Sequence, residues 1–205
     1  MEFLSRLGAG RKRRTLPIFP LGTVLFPGSL LPLRIFEVRY MDMARACLRE
    51  SSPFGVCLIR EGEEVGTPAV PQAVGCEARI ADCDAEELGI LKVRAEGLGR
   101  FRILSTEVNR QGLIVGEVEG IESEAPQPDA PGLAESAEFL RKAIAGIGAE
   151  RFAEPFAFDD ASWVGFRLAE ILPLRMDVKQ KLLELTDASM RLAVLHKFLQ
   201  QQKLL

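Results

Sequence analysis

Residues 15–33, TLPIFPLGTVLFPGSLLPL, form an uncharged and mostly apolar run that constrains the fold more than any other segment. A membrane-spanning helix needs about 20 apolar residues in continuous helix. Prolines interrupt this run, and each removes an amide donor and disfavours helix at the residue before it. The run therefore predicts strands or strand approaches at residues 16–19, 24–26 and 31–35, with turns at Leu21-Gly22 and Pro27-Gly28.

A helical period follows this run and begins at Phe36. Apolar residues recur at a spacing of three to four, and the charged residues fall mainly between them. The apolar set is Phe36, Tyr40, Met43, Ala44 and Cys47. The pattern predicts an amphipathic helix, with Phe36 and Tyr40 one turn apart in the core.

Further strands are predicted between residues 54 and 118. Residues 54–59 form a compact apolar run, and residues 74–81 alternate between apolar and polar or small side chains, as do residues 91–95. Gly97 and Gly99 interrupt the pattern, so we expect a new strand from Phe101 and a last one at residues 113–118. Many short strands with turn signals between them favour a closed or nearly closed barrel, which leaves few exposed edges.

The second half of the chain is predicted to be helical. Residues 121–132 are polar and rich in proline, which is typical of a linker. Helices are expected at residues 133–147, from a cap at Asp159 or Asp160 to residue 172, and at residues 177–185. Thr186 or Asp187 would cap a last helix, whose expected buried residues are Met190, Leu192, Leu195 and Leu199.

Composition restricts the partners and the compartment. The net charge is -3 and the pI is about 5.4, whereas a dedicated nucleic-acid-binding domain usually has a basic face. The basic residues before position 15 predict a flexible tail at residues 1–14. The four cysteines lack zinc-site or disulfide spacing, so Cys47, Cys57 and Cys76 are expected to be buried thiols in a reducing, cytoplasmic setting; Cys83 stays undecided.

The sequence offers little support for an enzyme. No phosphate-binding loop of the form GxxxxGK[ST] is present, so no nucleotide cofactor is expected. His196 is the only histidine, and its position late in a predicted helix favours a boundary role over catalysis. No catalytic residue, metal site or cofactor is therefore predicted.

Three segments carry a family resemblance. LPIFPLGTVLFPGSLLPLRIFEVRYMDM, FGVCLIREGEEVGTPAVPQAVGCEARI and GLGRFRI resemble, in this order, the N-terminal substrate-binding domain of the ATP-dependent Lon proteases. The chain is identified as a standalone bacterial member of this family, without the ATPase and protease domains. The resemblance implies an α+β fold, with a PUA-like β pseudo-barrel followed by a C-terminal helical bundle. The family usually has proline where this chain has Val38.

The resemblance also implies a division of the chain and a function. We expect a tail at 1–14, a barrel with one early helix at 15–122, a linker at 123–132 and a helical bundle at 133–205. The implied function is non-catalytic recognition of exposed apolar or extended polypeptide segments, as an adaptor or regulator of a separate ATP-dependent protease. The expected contact residues are Arg34, Phe36, Glu37, Arg39, Tyr40, Trp163 and Phe166.

Two readings of these contact residues remain open. Large aromatic and arginine side chains are favoured in recognition surfaces, yet the same rings also suit a protein core. Trp163 and Phe166 would line a groove between barrel and bundle that accepts an apolar peptide. The alternative function is an RNA-interacting PUA-like protein that uses the basic tail, and this alternative predicts steep salt dependence. The sequence does not specify the oligomeric state.

Overall fold

The computed structural model describes residues 13–87 and 89–205, and most of the predicted basic tail lies outside these residues. The elements, in chain order, are β1 Arg13–Leu21, β2 Leu30–Ile35, α1 Val38–Glu50, β3 Phe54–Glu61, β4 Val70–Pro71, β5 Val74–Glu87, β6 Ile90–Val108, β7 Ile114–Gly120, α2 Leu133–Ile147, α3 Ala161–Ile171, α4 Met176–Glu184 and α5 Ala188–Gln201, with a short 3₁₀ helix at Ala149–Arg151. The α+β fold class is confirmed.

The strands close into a barrel, as the sequence predicts. The strand order is β1-β7-β6-β5-β3, and β3 returns to pair with β1, so the ring has no open edge. The β1–β3 pair is parallel, with Ile18 opposite Gly55, and the other pairs in the ring are antiparallel. Apolar side chains fill the interior: Leu16, Ile18, Cys57, Phe101, Ile114 and Val118.

β6 is a single long strand, which corrects the expected break at Gly97 and Gly99. Its first part pairs with β2 on one side and β5 on the other, and its last part pairs with β7. Gly97 does not form a turn, and the need for glycine at this position comes from a close backbone contact. Its amide donates to the Ser29 carbonyl at 2.9 Å and its carbonyl accepts from the Gly28 amide at 2.7 Å, so the turn before β2 lies directly against the strand.

The C-terminal helices pack on one another around an apolar core. The expected bounds of α2 are confirmed, and the capping residues are Asp160 for α3 and Asp187 for α5. Each cap accepts a hydrogen bond from a backbone amide in the first turn of its helix, at 2.9 Å. Met190 was expected in the core but is 55% exposed, whereas Leu192, Leu195 and Leu199 are buried.

The barrel contributes side chains to the core of the bundle. Val24, Phe26, Leu58 and Val74 belong to the same buried cluster as the helices. The segment 24–26, expected as a strand or strand approach, forms no strand. Val24 and Phe26 pack into the bundle cluster, whereas Leu25 packs into the cluster that contains the buried face of α1. Residues 121–132 contain no helix or strand. One buried apolar cluster therefore joins this side of the barrel to the bundle, separate from the cluster in the barrel interior.

The predicted amphipathic helix exists, but it begins two residues later than Phe36. Glu37 precedes it in extended conformation, and Val38 is its first residue. Phe36 is therefore outside the helix and 54% exposed, which corrects the expectation that it packs beside Tyr40 in the core. Tyr40, Met43, Ala44 and Cys47 are buried as expected.

Val38→Pro is expected to stabilise the protein. Proline is favoured at the first position of a helix, and Glu37, with ψ 134°, already has the conformation that a following proline requires. A proline there restricts the unfolded chain, so we expect a gain of about 0.4–1 kcal/mol in the free energy of unfolding. Thermal unfolding should then show a rise in Tm of about 1–4 °C for a chain of this size.

Val194→Pro is the matched control for this substitution. Val194 is also exposed, but it lies in the middle of α5. Proline there removes an interior hydrogen bond and clashes with the preceding turn, which costs about 3 kcal/mol or more. A fall in Tm for Val38→Pro would show that the start of α1 does not tolerate the residue that its family usually has there.

None of the described helices is both long enough and apolar enough to cross a membrane. β1 begins at Arg13, so Arg13 and Arg14 belong to the sheet rather than to the predicted tail. Arg13 forms an ion pair with Glu117, and Arg14 pairs with Glu77. These two charges of the basic N-terminal segment are therefore compensated on the barrel surface.

Candidate functional site

The first surface groove runs beside β2 and has a volume of about 270 Å³. We call it the β2 groove. One wall is the continuous segment 31–37, and the opposite wall comes from the end of β1, from α1 and from the loop after β3. The residues of the opposite wall are Phe19, Leu21, Thr23, Tyr40, Glu64 and Val65.

The β2 groove follows an unpaired strand edge. Among the described residues, β2 pairs with β6 alone. Successive side chains of a strand point to opposite faces, so a groove lined by consecutive residues must run along the edge of the strand. Pro32 lies in the middle of β2, and proline is accommodated in a strand where its missing amide hydrogen faces an unpaired edge. The edge therefore has main-chain groups available, but fewer donors than a strand without proline.

The apolar surface at this groove is unusually exposed. Phe36 and Val65, which both line it, are each 54% exposed, and Val38, two residues after Phe36, is 70% exposed. The aromatic side chains of the opposite wall are buried by contrast: the Phe19 and Tyr40 rings stack with their centroids 4.0 Å apart. Burial raises the pKa of Tyr40, and the nearby Glu37 and Glu64 carboxylates act in the same direction against Arg39.

Arg39 supports the groove from within the protein. Its side chain is only 7% exposed, and Nη2 donates to Glu37 Oε2 at 2.9 Å while Nη1 donates to the Gly112 carbonyl at 3.2 Å. Its guanidinium also lies 4.7 Å from the centroid of the Tyr40 ring. Arg39 therefore ties the start of α1 to the turn before β7 and orients Glu37 towards the groove.

The second groove lies where the barrel meets the bundle and has a volume of about 250 Å³. We call it the junction groove. β6, the segment after β7 and the first turns of α3 form its walls. It is lined by Pro27, Gly28, Leu98, Gly99, Arg100, Ile121, Glu122, Ser123, Glu124, Asp160, Ser162, Trp163 and Phe166.

A buried ionic network centred on Glu124 lies at the base of the junction groove. The Glu124 carboxylate accepts from Arg100 Nη2 at 2.8 Å, from Arg191 Nη1 at 2.9 Å and from Ser162 Oγ at 2.7 Å. Arg100 also donates to the carbonyls of Leu183 and Leu185, at the end of α4. Burial lowers the pKa of Arg191, and the hydrogen bonds that Arg191 donates to the Glu124 carboxylate oppose this change. The network connects β6, α3, α4 and α5.

A second buried arginine joins α3 to the turn before β2. Arg167 Nη2 donates to the Pro27 carbonyl and to Ser29 Oγ, both at 2.7 Å, and Nη1 donates to the Gly28 carbonyl. Glu170 lies one turn away at 3.2 Å from Arg167 Nε. Burial raises the pKa of Glu170, and the positive charge of Arg167 opposes this change.

The comparisons with known proteins identify the family of this fold. The model of the ATP-dependent protease La (LON) substrate-binding domain matches residues 15–201. The chain belongs to this family. A solved Lon N-terminal domain protein from Xanthomonas campestris is 40% identical, with a TM-score of 0.74 and coverage of 89% of this chain and 96% of that one.

Two further relatives agree with this assignment. The N-terminal domain of a Mycobacterium avium complex Lon protease has a TM-score of 0.62 at 22% identity, over 89% of this chain and 96% of that one, and supports the fold. A Lon protease from Anaeromyxobacter dehalogenans is 24% identical over 196 residues. The match covers 92% of this chain but only 23% of that protease.

The predicted contact residues of this Lon substrate-binding fold lie in two places. Arg34, Phe36, Glu37 and Tyr40 line the β2 groove, whereas Trp163 and Phe166 line the junction groove. Arg39 lines neither groove and is buried. Val65 and Glu124 were not predicted as site residues, because both lie in loop segments without any helical or strand period. For Val65, the available signal was an apolar side chain between Glu64 and Gly66 in an otherwise charged loop.

The described residues give little support to a catalytic or metal-binding site. His196 Nδ1 lies 3.1 Å from Ser136 Oγ, but Ser136 is completely buried and offers no path to a substrate. No group of three potential metal ligands is present in the described part of the chain. Cys47, Cys57 and Cys76 are free and buried as expected, and burial raises the pKa of Cys76 to about 12. Cys83 is only partly buried.

Proposed function

We propose that this Lon substrate-binding domain protein holds exposed apolar segments of other polypeptides in the β2 groove. The observation that carries the proposal is Phe36: a large aromatic side chain, 54% exposed, beside a strand edge that no other described strand pairs with. Exposed aromatic side chains of this kind are the usual anchors of recognition surfaces. The segment would lie extended along β2 and form main-chain hydrogen bonds with its edge.

The expected affinity of a single groove is modest. Burial of apolar area contributes about 25 cal/mol per Å², but association and the ordering of an unfolded segment offset much of this gain. An unfolded chain carries many apolar segments, so repeated engagement would raise its overall affinity. Low affinity per segment suits a protein that must accept many sequences and release them.

The proposed context is regulated proteolysis in the cytoplasm. The chain matches the substrate-binding part of Lon proteases, so we propose that it delivers or withholds polypeptides for a separate ATP-dependent protease and has no catalytic activity of its own. Three buried free cysteines are consistent with a reducing compartment. Cross-linking this protein in cell extracts, followed by mass spectrometry, tests for a protease partner.

Phe36→Ala is expected to weaken polypeptide binding without unfolding the protein. The exposed ring makes little contribution to the core, but it would be an anchor for a bound segment, so its loss should cost about 1–2 kcal/mol, or roughly 5- to 30-fold in Kd. The measurement is fluorescence anisotropy of a labelled, carboxymethylated unfolded polypeptide titrated with each variant. Circular dichroism should show the same Tm for the variant within about 1–2 °C.

Val108→Ala is the matched control, because Val108 is 56% exposed but lies at the end of β6, outside the β2 groove. It should leave the Kd unchanged. Equal Kd values for Phe36→Ala and the parent protein would reject the groove as the binding site. A labelled RNA titrated beside the polypeptide tests the alternative function: RNA binding that falls steeply with salt, in the absence of polypeptide binding, would transfer the function to the basic N-terminal segment.

A further inference from the structure

The junction groove combines an aromatic floor with acidic groups. Phe166 is buried at its base, Trp163 is half-buried, and Leu98 is 38% exposed. Its acidic side chains are Glu122, Glu124 and Asp160, and Arg100 is the only basic side chain that lines it. The groove therefore has both apolar surface and an excess of carboxylates.

The Arg100 charge is fully used within the protein. Its side chain is 3% exposed, and its guanidinium contacts Glu124 and the two carbonyls at the end of α4. Glu124 is equally engaged, because it accepts from Arg100, Arg191 and Ser162. Arg191 lies behind it, with its guanidinium 3.7 Å from the centroid of the Phe166 ring. These buried groups are therefore engaged mainly with one another; Arg191 Nε is buried and has no hydrogen-bond partner among the described residues.

The carboxylates of Glu122 and Asp160 remain available to a ligand. In the part of the chain that the structure describes, neither Glu122 nor Asp160 forms an ion pair with a basic side chain. Asp160 Oδ1 caps α3 by accepting the Ser162 amide at 2.9 Å, and Glu122 is exposed. Arg167, whose guanidinium lies 6.0 Å from the centroid of the Trp163 ring, is paired with Glu170. With this pair included, the four carboxylates of Glu122, Glu124, Asp160 and Glu170 face the three guanidiniums of Arg100, Arg167 and Arg191, which leaves the region of the groove with a net negative charge. A cation is thus favoured there.

We propose that the junction groove binds a basic side chain, preferably arginine, of the same polypeptide segments that the β2 groove holds; this inference rests on the proposed function. An arginine side chain has an apolar stem that suits the surface of Trp163 and Leu98, and a cationic end that suits Glu122 and Asp160. A planar guanidinium also stacks on an indole ring better than an ammonium group does. The groove would therefore prefer polypeptides in which basic residues accompany the apolar ones.

Trp163 is a built-in reporter for this proposal, because it is the only tryptophan of the chain. The probe is an acetylated and amidated heptapeptide with one arginine among leucine and alanine residues. Its twin carries citrulline, which has the same shape without the charge. The arginine peptide should change the Trp163 emission in a saturable way, and calorimetry on the same samples should give a Kd about fivefold lower than that of the citrulline peptide.

Glu122→Gln tests the ion pair directly. Glu122 is exposed and forms no ion pair in the described chain, so the variant should fold normally and reduce the preference for arginine to about twofold. Glu107→Gln is the matched control, because Glu107 is exposed near the end of β6 and outside the groove. It should preserve the full preference. Equal Kd values for the arginine and citrulline peptides in the parent protein would overturn the proposal.

The Phe36→Ala variant separates this proposal from the proposed function. The heptapeptide should still change the Trp163 emission in that variant, since Phe36 does not line the junction groove. Loss of the Trp163 response in Phe36→Ala would place the basic side chain elsewhere and reject the inference. If Phe36→Ala weakens the binding of unfolded polypeptides but the arginine and citrulline peptides have equal Kd values, only the inference is rejected. If the arginine peptide binds more tightly than the citrulline peptide but Phe36→Ala has no effect on polypeptide binding, only the proposed function is rejected.

Discussion

Replacing Glu124 with alanine should lower the free energy of unfolding by about 3–5 kcal/mol, because it leaves two buried guanidiniums without their common partner. The side chains of Arg100 and Arg191 are 3% and 0% exposed, so water cannot replace the carboxylate without opening the junction. Ser162 also loses the acceptor of its hydroxyl group. Urea denaturation followed by far-UV circular dichroism measures the change.

Glu122→Ala is the control for this prediction. It removes a carboxylate two positions earlier in the same segment, but from an exposed side chain, so we expect a change within about 0.5 kcal/mol. The free energy of unfolding of Glu124→Gln should lie between those of Glu124→Ala and Glu122→Ala, because the amide keeps an acceptor oxygen but loses the negative charge. Similar stabilities for Glu124→Ala and Glu122→Ala would contradict the structural role that we assign to the network.

Gly97→Ala should also lower the free energy of unfolding strongly, by roughly 3 kcal/mol. A Cβ atom at Gly97 would overlap the Phe26 carbonyl oxygen, which is a backbone atom and has no rotamer to change. Relief of this clash requires the turn at residues 26–29 to move, and that turn holds both hydrogen bonds to Gly97. It also carries the Pro27 and Gly28 carbonyls that accept from Arg167.

Gly99→Ala is the control on the same strand. No atom lies within 4 Å of a Cβ atom built on Gly99, so its stability should stay within about 0.5 kcal/mol of the parent protein. For Gly97→Ala, differential scanning calorimetry should show a fall in Tm of about 6–12 °C for a chain of this size. A fall of similar size in both variants would mean that glycine flexibility, and not the approach of the turn, determines the effect.

The helices were the most predictable part of this fold. Their bounds follow from local signals, such as the aspartates that cap α3 and α5 and the glycine after α2. The long β6 strand was not predicted, because a glycine inside a strand is also the usual sign of a break. Only the position of the turn at residues 26–29 shows why Gly97 lacks a side chain.

The candidate sites were predictable as residues but not as an arrangement. The segment 35–40, IFEVRY, suggested a recognition surface, but its sequence did not predict that Arg39 is buried and Phe36 exposed. That division depends on where α1 begins, and a difference of two residues changes which side chains share a face. Trp163 lies in a separate groove because the relative position of barrel and bundle is set by long-range contacts around Glu124.

Hydrogen exchange with mass spectrometry tests the central proposal most directly. The unpaired edge of β2 should exchange its amide hydrogens rapidly in the free protein, and a bound extended segment should protect them. With a saturating unfolded polypeptide, we predict slower exchange in peptides that cover residues 30–37 and no change at α5 Ala188–Gln201. Unchanged exchange at residues 30–37 under conditions where anisotropy shows binding would contradict the proposal that the β2 groove holds the polypeptide.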